Sequence, residues 1–199
     1  MKPELDAKLC AEFPSIFRER GLPATESCMH WGIDVGDGWY DLIHDACELF
    51  MGVIRNEEED VIRAHKTQHQ IAYEVALSPE ILKTLHIGEM TVVAEQVKEK
   101  YGYLRLYWYS ENLSEKARAE VDGIVAMAEL ISVRTCEKCG HPGEMRGPGW
   151  LSVRCEACGE GKTTMEEYNK WVDAMEKDGN EMTGTAWAAY LATKAEVHK

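Results

Sequence analysis

Cys136-Glu-Lys-Cys139 and, after a gap of fifteen residues, Cys155-Glu-Ala-Cys158 decide how this chain is read. Two Cys-x-x-Cys pairs at that separation match the four-cysteine zinc pattern. Two intervening residues let one tight turn aim two thiolates at one ion. The next residue is glycine both times (Gly140, Gly159), which allows the positive φ with which such a turn closes. Between the pairs, Gly147-Pro148-Gly149 reads as a turn and Trp150 to Arg154 as a short returning strand. The expectation is a zinc ribbon holding one ion per chain through Cys136, Cys139, Cys155 and Cys158. Four sulfurs fill a tetrahedral shell and leave no open position, so the ion would be structural. The alternative is four unrelated reduced cysteines, and the spacing argues against it.

Working outward, the 199 residues are enough to bury a core, as one domain with an appendage or as two small ones. Hydrophobic residues make up 45%, which argues against global disorder. No apolar run approaches the roughly 18–20 residues that span a bilayer, and the charged amino terminus lacks a signal-peptide core. Seven cysteines is an odd number, and Cys10, Cys28 and Cys47 have no framework spacing. These features favour a reducing cytoplasm, with those three as buried or idle thiols.

The net charge of −13 is unevenly spread. Residues 21–60 hold ten acids against Arg55 alone, whereas 89–118 balance at five acids and five bases. General nucleic-acid binding through a phosphate footprint is therefore disfavoured. The acidic segments serve solubility or face a basic partner.

From the amino terminus, residues 3–19 read as an amphipathic helix divided by Pro14. Asp37 is expected to cap a core helix from Gly38 to about Arg55, with Trp39, Leu42, Ile43, Ala46, Phe50 and Val53 on one face. The acids after Asn56 open a separate helix over 57–77. Period-two alternation over Thr91–Val97 and Tyr103–Tyr109 predicts a hairpin with 98–102 as its loop. Leu104, Leu106 and Trp108 would face one side, and Tyr103, Arg105, Tyr107 and Tyr109 the other. Ser114 caps a helix to about Val133, with a buried stripe of Ala117, Val121, Ile124, Val125, Ala128 and Ile131. Thr164 with Glu167 is a capping box for a helix over 165–177, and a last helix is expected from Thr185 to Val197. Trp171, Met175, Trp187 and Tyr190 would dock on the core or on a second copy, making a homo-oligomer.

Several motifs invite sharper readings. Gly161-Lys162-Thr163 resembles the end of a P-loop, but Glu156 stands where a glycine is needed. His65 and His69 share a helix face without a following glutamate base, and a solvated face is the better reading. His141 and Glu144 are His-x-x-Glu, not the His-x-Glu of zinc deaminases. Asp34, Asp37, Asp41, His44 and Asp45 with His30 are either solvated carboxylates with a cap or a cation or ligand site. Tyr101, Tyr103, Tyr107, Trp108 and Tyr109, interleaved with Lys98, Lys100 and Arg105, are either an ordinary sheet or a clamp for a nucleotide.

Three stretches in order carry a resemblance. They are Gly36-Asp-Gly-Trp39 with Leu42, Ile43 and Cys47; Gln96 to Tyr107; and Cys136-Glu-Lys-Cys-Gly-His-Pro-Gly143 with its partner pair. Together they resemble a family of small proteins encoded by tailed bacteriophages and prophages. The likeness runs from about Phe13 to Gly159 and departs at 57–85, which looks inserted, and at 160–199, which looks like an added tail. Tyr103 stands where the family pattern has a second glycine. The resemblance implies a genomic setting and no mechanism.

The fold expected is α+β: mainly helical, with a small antiparallel β-hairpin or sheet and a four-cysteine zinc ribbon in the C-terminal half. Residues 1–134 form the helical core with its hairpin, 135–160 the ribbon and 161–199 a helical tail. No nucleophile–base pair and no open metal site is legible. A non-enzymatic phage accessory protein that binds a host protein or sequesters a small nucleotide-type signal is therefore favoured over an enzyme acting on a nucleotide or related anion. The ligand-binding candidates are Asp37, Gly38 and Trp39 at a helix start, with Lys98, Lys100, Tyr101 and Arg105 on the hairpin.

Overall fold

The computed structural model describes residues 1–147, 150–159 and 163–177. The chain folds as α1 (Pro3–Glu12), α2 (Tyr40–Gln68), α3 (Pro79–Thr84), β1 (Thr91–Lys100), β2 (Tyr103–Glu111) and α4 (Glu115–Ser132). The ribbon strands β3 (Glu144–Arg146) and β4 (Ser152–Arg154) and the helix α5 (Met165–Lys177) follow. This is the α+β architecture expected: mainly helical, with two small antiparallel sheets, one of them carrying the four cysteines. The expected helix from Thr185 to Val197 lies outside the described residues.

The core forms where three apolar faces meet. α2 contributes Ile43, Ala46, Phe50 and Val53, α4 contributes Ala117, Val121 and Ala128, and the hairpin contributes Val92, Val97, Leu104 and Leu106. Trp39 and Phe50, both fully buried, are the largest of these side chains, and such burial stabilises by about 1.5–3 kcal/mol for a residue of this class. The amino-terminal segment closes the remaining side with Leu9, Phe13, Ile16 and Phe17. As expected, α1 stops before Pro14.

The segment 57–77 is not a separate helix. α2 runs unbroken to Gln68, because no proline interrupts it and Val61 continues the apolar face onto the core. The acids after Asn56 are not first-turn residues. Glu57 instead accepts from the Ser114 N–H ahead of α4, and Glu58 accepts from the Gly88 N–H. Asp37 does not cap α2 with its side chain either; its carboxylate accepts from the Lys2 backbone N–H at 2.7 Å and pairs with Lys2 Nζ at 3.0 Å.

The hairpin is longer than the alternation suggested. Lys98–Lys100 belong to β1, and only Tyr101 and Gly102 form the turn. Both have positive φ, 55° and 80°, the type I′ pattern that matches the twist of the flanking strands. A register shift between Ala94 and Gln96 leaves Glu95 outside the pairing. That bulge lets Val92 and Ala94 before it and Val97 after it all reach the core. Leu104 and Leu106 face inward, while Tyr103 and Tyr107 face outward, as the pattern predicted. Asp34 adds a short parallel rung along β1: its N–H donates to Val97 O and its carbonyl accepts from Glu99 N–H, both at 2.9 Å.

The other two caps read from sequence are present. Ser114 Oγ accepts from Ala117 N–H at 3.1 Å. Thr164 and Glu167 exchange both capping-box hydrogen bonds, at 3.1 and 3.2 Å. No helix among the described residues is long and apolar enough to cross a membrane.

Candidate functional site

Both Cys-x-x-Cys turns close on their glycines, with the anticipated positive φ at Gly140 (78°) but not at Gly159. Gly140 N–H donates to Cys136 O, and Gly159 N–H donates to Cys155 O, both at 2.8 Å. The β3–β4 pair carries the second turn back to the first, with Glu137 N–H donating to Val153 O at 3.1 Å. One sulfur from each of Cys136, Cys139, Cys155 and Cys158 then lies within 4.8 Å of the other three. Cys139 Sγ and Cys155 Sγ are 3.6 Å apart, close to the ~3.8 Å edge of a tetrahedron built on metal–sulfur bonds of about 2.3 Å. The four cysteines form a group able to hold a metal ion.

Electrostatics agree with a cation at their centre. Burial pushes the Cys136 thiol up, but the backbone N–H groups of Cys155, Cys139 and Lys138 outweigh it and hold the value at about 6. Cys158 is pushed up to about 12 by the hydrogen bonds it shares with Cys139 and Cys155. Four sulfurs this close cannot all ionise alone. A divalent ion would remove the conflict by replacing the remaining protons.

The ribbon is joined to the helical body by the loop that leads into α2. Gly36 N–H donates to Glu137 Oε1 at 3.0 Å, Gly38 N–H donates to Glu137 O at 2.8 Å, and Trp39 Nε1–H donates to Thr135 O at 2.8 Å. A Cβ on Gly38 would collide with Cys136 O and with the Gly140 and Cys139 amides. That residue must therefore be glycine for the first cysteine turn to sit there. Glu137 also accepts from Arg154 at 2.7 Å in a largely buried pair, with side chains 12% and 20% exposed. Glu137, Thr135 and Arg154 were not singled out in the sequence. The available signal was a glutamate inside the first cysteine turn, where a solvated residue would have sufficed.

These contacts correct half of the anticipated ligand site. The N–H of Gly38 is used by the ribbon, and Trp39 is fully buried, so its ring is not free to stack on a ligand. Asp37 is engaged by Lys2. Asp37 and Gly38 do line a cleft of about 330 Å³ beside Cys139, but with Lys2, Tyr40 and Lys138 in place of the hairpin residues.

The hairpin half converges. Lys98 lies opposite Arg105, and Lys100 opposite Tyr103, on the face turned away from the core. Lys98 Nζ sits 5.3 Å from the centre of the Tyr107 ring, Lys100 Nζ 5.6 Å from Tyr101, and the Arg105 guanidinium 5.2 Å from Tyr103. Arg105 is also paired with Glu129 at 2.5 Å. Neither Lys98 nor Lys100 has an ion-pair partner among the described residues.

The acid/His cluster does not assemble as one site. Asp34 pairs through its backbone with β1, Asp37 goes to Lys2, and His30 Nδ1 meets Leu22 O at 2.9 Å. His44 turns instead to Glu12, at 3.2 Å, with Asp45 at 3.7 Å. Glu12, His44 and Glu48 bring three ligand-type atoms within 4.8 Å of one another. His65 and His69 stack at 4.3 Å, and His141 takes part through its carbonyl, which accepts from Cys136 N–H at 2.7 Å. Of the P-loop-like residues, Gly161 and Lys162 lie outside the described residues, and Thr163 is buried. Of the other three thiols, Cys47 is buried and pushed well up by that burial. Burial and the neighbouring Asp6 carboxylate raise Cys10 to about 11.

No protein-family model, no curated protein and no solved structure matches the chain.

Proposed function

We propose that the protein is a non-enzymatic binding protein whose ribbon is held by one structural zinc ion and whose hairpin face captures an anionic, base-bearing ligand of the nucleotide class. Zinc is the ion that suits four thiolates in a closed tetrahedral shell. The residues that would hold it are Cys136, Cys139, Cys155 and Cys158. What it would supply is folding energy, with no coordination position for a substrate.

One observation carries the ligand reading. On a chain of net charge −13, one outward face gathers Lys98, Lys100 and Arg105 with Tyr101, Tyr103 and Tyr107. Tyr101 is 69% exposed, and Tyr103 and Tyr107 are 38% and 42% exposed. Ammonium and guanidinium groups suit phosphate, and exposed tyrosine rings suit the face of a base. The resemblance to phage-encoded proteins supports a setting in the cytoplasm of an infected or lysogenic bacterium, where removing a small host signal would serve the phage.

Calorimetry with mono-, di- and cyclic nucleotides on the wild type and on a Lys98→Ala/Lys100→Ala variant tests it. Binding that weakens about tenfold or more in the variant supports the reading. No heat with any nucleotide, or equal heats for the two proteins, contradicts it.

A further inference from the structure

Among the described residues, the seam between α2 and α4 leaves large apolar side chains exposed. Leu49 is 56% exposed, Met127 58% and Ile131 44%. The expected buried stripe of α4 is only half buried as a result. Leu49, Met127 and Ile131 border a groove of about 570 Å³ whose walls are Leu42, Ala46 and Leu49 from one helix and Ile124, Met127 and Ile131 from the other. An apolar seam between two helices, with a flexible methionine in its wall, is the shape into which a third amphipathic helix lays its apolar face.

The charge around the groove narrows the occupant. Among the described residues, the charged ones lining it are acids, Asp45 and Glu120. Further along the same seam the lining is Glu57, Glu59, Asp60 and Glu120 against Arg63 and Lys116. Both bases are already paired: Arg63 with Asp60 at 3.0 Å, and Lys116 with Asp60 at 3.7 Å and Glu120 at 3.8 Å. From Leu42 to Arg63 the α2 wall is about 32 Å long at 1.5 Å per residue. The seam therefore passes from apolar to acidic along a length that takes several turns of helix. A second copy of this chain would bring the same acids against themselves, which is costly in a two-fold contact.

We infer that the α2/α4 groove is a docking site for a cationic amphipathic helix of a partner protein. The apolar anchors of that helix seat between Leu49 and Met127, and its Lys or Arg residues reach Asp45, Glu120 and the acids beyond. This site is separate from the hairpin face, so either can fail without the other.

The test uses the full chain and two synthetic helices of about 18 residues, long enough to hold helical structure. Both carry leucine at helical spacing; one has lysine at every other position, the second glutamate. The lysine peptide should bind at least about tenfold tighter than the glutamate peptide at low salt. The gap should narrow at high salt, and Met127→Asp should weaken the lysine peptide by a similar factor. An Asp45→Lys/Glu120→Lys variant should reverse the preference, which a merely sticky surface would not do. Equal binding of the two peptides, or no loss in Met127→Asp, overturns the inference. So does a free protein whose Met127 methyl already contacts Trp187 or Tyr190, or one that dimerises through Leu49 and Met127, since the groove then has another occupant.

Discussion

The helical body and the ribbon are stabilised by different means. The body buries a continuous apolar cluster that includes Leu9, Phe13, Trp39, Ile43, Phe50, Val97 and Leu104. Between Thr135 and Gly159 the described residues bury few apolar side chains, chiefly Cys136 and Val153, and the polar side chains buried there are those of Arg146 and Ser152. Two three-residue strands cannot hold themselves together in water. One region follows from apolar burial, and the other needs a cross-link. The four sulfurs supply the place for it.

Removing that cross-link should give the largest effect and the sharpest contrast. Apparent binding free energies of structural zinc are about 10–16 kcal/mol, so chelation, or a Cys139→Ser/Cys155→Ser pair, should unfold residues 135–159 and leave the body folded. Hydrogen exchange read residue by residue checks this. Loss of protection in α2 and β1 together with the ribbon would break the comparison.

Trp39→Ala comes next. It opens the core at its largest side chain and removes the Thr135 hydrogen bond, so it should cost about 3–5 kcal/mol and lower the melting temperature of body and ribbon together. If only the ribbon responded, Trp39 would belong to the interface alone.

Gly38→Ala is a smaller and more selective change. Its Cβ meets the Cys136 carbonyl and the Gly140 amide, an overpacking cost of about 1–3 kcal/mol. It should loosen the ribbon from the body without unfolding the body, seen as faster exchange at the Gly140 amide and an unchanged core.

The smallest effect belongs to the surface. Glu111 accepts from Arg18 at 2.6 and 3.0 Å, and these hydrogen bonds, with the charge of Arg18, hold its carboxyl below the usual range. Because the folded value lies below the unfolded one, the contribution is present at neutral pH and is lost as pH falls through the folded value. Glu111→Gln should remove that acid-limb dependence and change neutral stability very little, as exposed pairs do. A large loss at pH 7 would show that the pair anchors β2.

What the sequence disclosed follows the same division. Local chemistry was legible: Ser114 and Thr164 with Glu167 as caps, the outward tyrosines of β2, the break at Pro14, and the two cysteine turns. What depends on distant partners was not. The acids after Asn56 satisfied the rule for a helix start, yet their tertiary targets, Gly88 and Ser114, let α2 continue through them. Asp37-Gly38-Trp39 had the look of an anion-binding helix start, but its Gly38 N–H and the Trp39 indole N–H are spent on a ribbon about a hundred residues away. Periodicity marked Ile131 as apolar on the right face of α4 and carried no information about whether anything covers it.

X-ray absorption at the zinc edge of the purified chain is the most direct test of a ribbon held by its metal. The account predicts one zinc per chain with four sulfur neighbours at about 2.3 Å and no oxygen or nitrogen in the coordination shell. A protein that folds with no zinc, or a shell that contains a water or a nitrogen ligand, would contradict it.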